Sequence, residues 1–148
     1  MRLPPPEIGR VVHYGFVWAG AGRAAPPDAA KSRPCLIVDV EEIVERDAGS
    51  RPVKRVTYLP ISHTPPRKGE ETIDVPVRVA QHLGLTREKS YIYTSYAVED
   101  DWPFDLEARP GSTECDYGLV PPRLFEAVAE NFAAYLKRHP QTTHKRSG

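Results

Sequence analysis

The sequence lacks a surplus of either charge, a cysteine framework and a long hydrophobic run. Lys and Arg total 20 and Asp and Glu total 20 among 148 residues, so the formal net charge is zero. This balance excludes a protein that is basic over its whole surface, but it allows a local basic face. Two cysteines are too few for a disulfide network, and no run of about 18 apolar residues could cross a membrane.

Proline is abundant, with 16 residues, and this excludes a long helical bundle because proline interrupts helices and central strands. Hydrophobic residues make up 40% and charged residues 27%, as in folded globular proteins. The length predicts one domain over residues 1–140 and a disordered tail at 141–148. Residues 1–10 contain no apolar segment typical of a signal peptide, so we expect a cytoplasmic protein without a membrane partner.

Segments rich in β-branched and aromatic residues predict a mainly β (α+β) fold. The predicted strands are 11–19, 34–44, 53–61 and 90–98, with a short fifth one at 73–77. The predicted loops are 20–32, 62–72 and 99–118. A tight turn at 45–52 makes the second and third strands a hairpin.

Two helices are predicted after the hairpin. Pro76 and Gly84 are placed to begin and end a short helix over 77–85. Apolar residues at helical spacing indicate a C-terminal helix over 123–138, which Pro140 ends. A small, strongly curved antiparallel sheet or barrel packed by one helix satisfies this order.

Arg33 stands between a long predicted loop and the buried strand that begins at Cys35. A strand holds a guanidinium firmly at such a position while leaving it open to a ligand. Arginine stays charged at any working pH and binds a phosphate with two donors. A salt bridge at a strand end is the alternative interpretation.

Ser62, His63 and Thr64 follow the third predicted strand, just before two prolines. The hydroxyls can donate to phosphate oxygens, and an imidazole titrates near neutrality and can move protons. We therefore predict Arg33, Ser62 and His63 as catalytic residues. The alternative is a hydroxyl-rich turn with an exposed histidine.

Five cations and no acid lie between residues 51 and 69, whereas acids gather at 99–107. Together with Lys31 and Arg33, these cations predict a basic trough. Tyr14, Phe16 and Trp18 share one face of the first strand, and aromatic rings beside a basic groove suit single-stranded RNA. The predicted substrate-binding residues are Trp18, Lys31, Thr64, Arg67 and Lys68. The alternative is a solvated strand face with an aromatic core.

The sequence predicts neither a metal site nor a cofactor. The five histidines are scattered, the cysteines lie far apart, and no zinc-binding spacing occurs. A phosphate-binding glycine loop and a dinucleotide fingerprint are also absent from the sequence. Glu99, Asp100 and Asp101 are interpreted as an acidic loop, with a divalent-cation site as the alternative.

Three motifs together resemble the PemK/MazF family of bacterial toxins. Residues 33–38 (RPCLIV) are similar to the family's Arg-Pro-apolar strand, and residues 59–62 (LPIS) to its apolar-Pro-Ile-Thr-Ser strand end. Residues 118–125 (GLVPPRLF) are similar to its closing segment and final helix. The lead-in differs, because Arg10 stands where the family usually has an acid.

The resemblance implies an SH3-like antiparallel barrel, a homodimer, a small antitoxin protein as partner, and metal-independent cleavage of single-stranded RNA. The family's arginine falls on Arg33 and its threonine on Ser62. Two alternatives stay open: a non-catalytic module of the same fold that binds nucleic acid or protein, and metal-dependent hydrolysis by the acids at 99–105.

Overall fold

A computed structural model describes residues 1–16, 32–44, 52–86 and 88–146. The predicted substrate-binding residues Trp18 and Lys31 lie outside these ranges, as do most of the predicted loop 20–32 and of the turn 45–52.

The described residues form a mainly β fold with two helices. The strands are β1 (Arg10–Tyr14), β2 (Arg33–Ile43), β3 (Val53–Ser62), β4 (Thr72–Asp74), β5 (Tyr91–Tyr93), β6 (Ala97–Asp101), β7 (Asp116–Leu119) and β8 (Thr143–Lys145). The helices are α1 (Val77–Leu83) and α2 (Pro122–Arg138). Among the described residues, no helix is long and apolar enough to cross a membrane.

The strands form one sheet whose main order is β4-β5-β3-β2-β1-β7. The long strand β3 is shared, because its end at Ile61 and Ser62 pairs with β5 and its earlier part pairs with β6. All of these pairs are antiparallel. β8 lies parallel to β6 on the other side from β3.

The structure confirms the predicted hairpin and both predicted helices. β2 and β3 pair antiparallel from Cys35–Pro60 to Ile43–Val53. α1 ends at Gly84, whose φ of 72° is the left-handed conformation that glycine adopts without strain. α2 starts after Pro121, which has an extended conformation and cannot continue a helix backwards.

Three segments differ from the sequence prediction. The predicted strand 90–98 is divided into β5 and β6 by a bend at Thr94 and Ser95, and this break lets the chain pair with two parts of β3. The predicted loop 99–118 contains the end of β6 and all but the last residue of β7. Residues 143–145, predicted as part of a disordered tail, form β8.

The core has two apolar clusters because alternate residues of a strand point to opposite faces. Val11 and Leu36 belong to the cluster that also contains Val128 and Phe132 of α2. Tyr14 and Phe16 belong to the second cluster and are fully buried. These two aromatic residues are therefore core, and they offer no stacking surface to RNA bases.

Candidate functional site

The antiparallel hairpin brings Arg33 and Ser62 to the same end of the sheet. Cys35 pairs with Pro60, and Arg33 and Ser62 each lie two residues beyond this pair on their strands. β1 ends at the same place, since His13 pairs with Pro34. The register of three consecutive strands therefore assembles the site.

A cavity of about 350 Å³ opens at this end of the sheet. Its lining residues include Arg33, Arg109, His13 and His63. The hydroxyl-bearing residues of the lining are Ser32, Ser62, Thr86, Ser90 and Tyr117. No Asp or Glu lines the cavity within the part of the chain that the structure describes. Two permanent cations with several hydroxyl donors and no carboxylate form a site suited to an anion.

Arg33 is almost completely buried, with 4% of its surface exposed. Its guanidinium carbon lies 5.9 Å from the centroid of the Phe16 ring, within the range of a cation–π contact. An arginine side chain carries a delocalised positive charge at any working pH. The positive charge is thus held at a fixed place in the wall of the cavity.

Ser62 is also buried and forms a local turn with the next residues. Its Oγ accepts a hydrogen bond of 3.1 Å from the backbone N–H of Thr64. Since a serine hydroxyl has two lone pairs and one proton, this bond leaves its O–H available to donate. Ser62 can therefore donate a hydrogen bond at the cavity wall.

His63 is exposed, and both of its ring nitrogens have partners. Nδ1 donates to the backbone carbonyl of Lys89 at 3.1 Å, because a carbonyl oxygen can only accept. Nε2 lies 2.7 Å from the hydroxyl oxygen of Thr86. A hydroxyl can donate to a neutral imidazole or accept from a charged one, so these contacts accommodate both protonation states.

His13 lies on β1 and is buried, with 6% exposure. Its Nδ1 is 2.9 Å from the phenolic oxygen of Tyr117. Burial lowers the pKa of His13, the charge of Glu107 acts against this and raises it, and the charge of Arg109 lowers it. Burial raises the pKa of Tyr117, so the phenol keeps its proton.

Arg109 reaches the cavity from the segment between β6 and β7. This segment runs beside the end of β1, where the backbone N–H of Glu107 donates to the carbonyl of His13. The guanidinium carbon of Arg109 lies 4.4 Å from the centroid of the Tyr117 ring. Its Nη1 donates to the backbone carbonyl of Asp116 at 3.2 Å. These contacts hold a second cation opposite the hairpin end.

The structure brings together Arg33, Ser62 and His63, which the sequence predicted as catalytic. Thr64 follows directly but does not line the cavity. Arg67 and Lys68 are exposed on the next turn, where the backbone N–H of Arg67 donates to Glu70, and they also lie outside the cavity wall.

The sequence predicted Arg55 as part of the basic trough, but the structure pairs it with acids. Its Nε lies 2.9 Å from a carboxylate oxygen of Asp101 and 3.9 Å from one of Glu99. The acids at 99–101, which were predicted in a separate loop, belong to β6, and β6 pairs with β3. Adjacent strands therefore neutralise this part of the predicted trough.

The acidic residues at 99–105 have cationic or hydroxyl partners. Asp100 is buried and accepts a hydrogen bond of 2.6 Å from the hydroxyl of Tyr14. Asp105 lies 2.8 Å from Arg146. Within the described ranges, no three His, Cys, Asp or Glu side chains are grouped in a way that could hold a metal ion.

No protein-family model matches the chain, and no curated protein matches it. The resemblance to the PemK/MazF family thus stays a prediction that rests on the three short motifs.

Sequence analysis did not find His13, Thr86, Arg109 or Tyr117 as parts of the site. For His13 a signal was present, because its position in the strand sets it on the face opposite Tyr14 and Phe16. Arg109 and Tyr117 lie within the segment 99–118, which was interpreted as an acidic loop. Their place depends on long-range contacts with β1, which no local pattern indicates.

Proposed function

We propose that this chain is an endoribonuclease that cleaves single-stranded RNA through attack by the substrate's own 2′-hydroxyl, without a metal ion. The observation that carries the proposal is the shared cavity of Arg33 and Ser62, which contains two guanidiniums and no carboxylate among its described lining residues. A phosphodiester is the anion in RNA that such a cavity would bind.

Arg33 stabilises the negative charge that builds up on the phosphate oxygens as the 2′-oxygen attacks phosphorus. A fixed, buried cation is effective because it needs no reorganisation when this charge develops. Ser62 donates a hydrogen bond from its hydroxyl to a non-bridging oxygen and orients the phosphate. The products are a 2′,3′-cyclic phosphate and a 5′-hydroxyl.

His63 carries a proton to the departing 5′-oxygen. In its charged form, Nδ1–H donates to the Lys89 carbonyl and Nε2–H to the Thr86 hydroxyl, whose own proton can then pass to the leaving oxygen. Thr86 lines the cavity, so this relay ends where the substrate would lie.

A second cavity of about 470 Å³ shares Leu85, Thr86 and Ser90 with the first. Asp74 and Glu88 line this second cavity, and Lys89 there pairs with Asp74 at 3.2 Å. The site for the phosphodiester is therefore assigned to the first cavity alone.

The resemblance to the PemK/MazF family extends the proposal in three respects. The sheet is an SH3-like barrel, the chain forms a homodimer, and the protein is the toxin of a pair that a small antitoxin protein neutralises. Cleavage by such a toxin is selective for RNA sequence. The short motifs at 33–38, 59–62 and 118–125 support this extension.

The test is incubation of the purified protein with a mixed single-stranded RNA in EDTA. We expect cleavage products with a 2′,3′-cyclic phosphate, and no cleavage of an analogue with a deoxyribose at the cut site. Arg33→Ala should lose cleavage by about two orders of magnitude or more. Arg78→Ala, which removes an exposed arginine of α1 outside the cavity, is the matched control and should cleave normally.

Three other outcomes would contradict the proposal. Wild-type cleavage by a folded Arg33→Ala variant would remove the assigned role of this arginine. Retention of RNA without cleavage would favour the non-catalytic binding module. Loss of activity in EDTA with recovery on adding Mg²⁺ would favour metal-dependent hydrolysis.

A further inference from the structure

We infer that His13 is the general base that takes the proton of the 2′-hydroxyl, and that Tyr117 is a positioning residue that fixes its tautomer. This inference rests on the proposed function and names a residue pair that the family resemblance does not supply. In the step, Nε2 of His13 accepts the 2′-proton, the 2′-oxygen bonds to phosphorus, and the bond from phosphorus to the 5′-oxygen breaks. The 5′-oxygen takes its proton from His63 through Thr86.

The geometry separates the two imidazoles. His13 belongs to β1, whereas His63 follows β3 and is held by the segment that carries Thr86 and Lys89. Both rings line one cavity together with Arg33. In-line displacement needs a base near the attacking oxygen and an acid near the leaving oxygen, so two histidines on different elements suit the reaction.

The contact between His13 and Tyr117 occupies Nδ1 of the imidazole and leaves Nε2 for the substrate. Either atom of the pair can be the donor, and the proposed step uses Nδ1–H as the donor to the phenolic oxygen. Their atoms are 2.9 Å apart, and the buried phenol stays protonated. When Nδ1–H donates to the phenolic oxygen, the lone pair of the neutral ring is on Nε2. After proton transfer, the same phenolic oxygen continues to accept from Nδ1–H of the imidazolium.

Burial favours the neutral form of His13 at pH 7, because it lowers the pKa of this residue. Of the neighbouring charges, Glu107 raises the pKa of His13 and Arg109, which lies over the Tyr117 ring, lowers it. Arg33 and His63 line the same cavity from β2 and from the end of β3. The carboxylate of Glu107 also accepts a 2.6 Å hydrogen bond from the hydroxyl of Ser32. A neutral imidazole is the form that a general base requires.

The experiment measures steady-state cleavage of a single-stranded RNA oligonucleotide between pH 5 and 9. His13→Asn retains a polar atom near the Nδ1 position but has none at Nε2. We expect its kcat to fall about a hundredfold or more, with KM changed less than about threefold. His82→Asn changes an exposed histidine of α1 outside the cavity and should leave both parameters unchanged.

Tyr117→Phe tests positioning through the pH profile. The loss of the phenolic oxygen removes an acceptor that stabilises the imidazolium, so the acid limb should move to lower pH as kcat falls. In the wild type, the acid limb of kcat/KM should lie below the ordinary histidine value of about 6.5. A role of Tyr117 in packing alone would lower activity without moving the limb.

These measurements distinguish a wrong role for His13 from a wrong proposed function. If the wild type cleaves and Arg33→Ala does not, but a folded His13→Asn variant cleaves at the wild-type rate, only the role of His13 is overturned. If the wild type does not cleave RNA, the proposed function fails and the role of His13 fails with it. If His13→Asn does not fold, the wild-type profile decides, and an acid limb above about pH 7 would overturn the role.

Discussion

The guanidinium carbon of Arg33 lies 5.9 Å from the centroid of the Phe16 ring, so this cation of the cavity contacts the aromatic core. Phe16 is fully buried and meets Tyr96 edge to face at a centroid distance of 5.6 Å. The position of Arg33 therefore depends on the packing of a residue that does not line the cavity.

Replacement of Phe16 by Leu should raise KM for RNA as well as lower stability. The rise in KM should exceed that of a variant with a similar loss of stability. The change removes the ring below Arg33 and lowers the free energy of unfolding by about 1–1.5 kcal/mol. KM for RNA and urea unfolding are the two measurements. Val98→Ala, in the same cluster, should cost roughly 1–3 kcal/mol and leave KM unchanged. Equal KM values for the two variants would show that the ring does not orient Arg33.

Gly84→Ala should disturb Arg109. The φ of Gly84 is 72°, and a Cβ at this position would lie 3.0 Å from the guanidinium of Arg109. We expect a loss of about 1–2 kcal/mol in stability from backbone strain, and weaker RNA binding because Arg109 must move. Binding is measured with a 2′-O-methyl RNA that cannot be cleaved.

Gly69→Ala is the matched control for this change. Gly69 has a φ of 88°, and a Cβ there would meet no atom within 4 Å. The strain should be similar, while binding of the RNA analogue should equal that of the wild type. If both glycine variants bind the analogue equally well, Arg109 does not contribute to the anion site.

Tyr14→Phe should cost about 1–3 kcal/mol of unfolding free energy. The Tyr14 hydroxyl donates to buried Asp100 at 2.6 Å and accepts from Arg146 at 3.1 Å, and its loss leaves the Asp100 carboxylate without this donor. Burial and this hydrogen bond raise the pKa of Tyr14. Tyr135→Phe removes a long 3.4 Å bond from an exposed hydroxyl to the Gly69 carbonyl and should cost less than about 0.5 kcal/mol. Urea unfolding at pH 7 compares the two, and equal losses would contradict the buried bond's role.

The stability of the wild type should decrease between pH 7 and 5 partly because of His13. Burial lowers the pKa of this residue in the folded state, so the unfolded chain binds more protons as the pH falls below about 6.5. The contribution is fully present above the unfolded pKa and is lost as the pH falls through the folded pKa. As the pH is lowered from 7 to 5, the urea midpoint of the wild type should therefore fall more steeply than that of His13→Asn. Parallel curves of urea midpoint against pH for the wild type and His13→Asn would mean that burial does not perturb His13. As a control, His82→Asn, which changes an exposed histidine, should follow the wild type.

The sequence was sufficient to predict the parts of the fold that local patterns determine. The hairpin of β2 and β3 follows from two apolar segments joined by a short polar turn, and α1 follows from Pro76 and Gly84. The same hairpin accounts for the meeting of Arg33 and Ser62, because antiparallel strands bring the start of one beside the end of the other.

The remaining parts depend on long-range pairing. The bend at Thr94 and Ser95 is needed only because β3 has two partners along its length, and a strand pattern does not carry this information. β8 is stable through its pairing with β6 and through the contacts of Arg146, whose Nη1 donates to the Gly15 carbonyl at 2.5 Å. Arg109 and Tyr117 enter the site for the same reason, since contacts with β1 position their segment.

Both thiols of the chain are enclosed by the fold. Cys35 and Cys115 have no exposed surface, and burial raises the pKa of each thiol, so neither accessibility nor ionisation favours reaction with an alkylating reagent. Their modification rate in the native protein consequently reports how often the chain opens. This rate can be compared among the variants above without a fluorophore or an engineered tag.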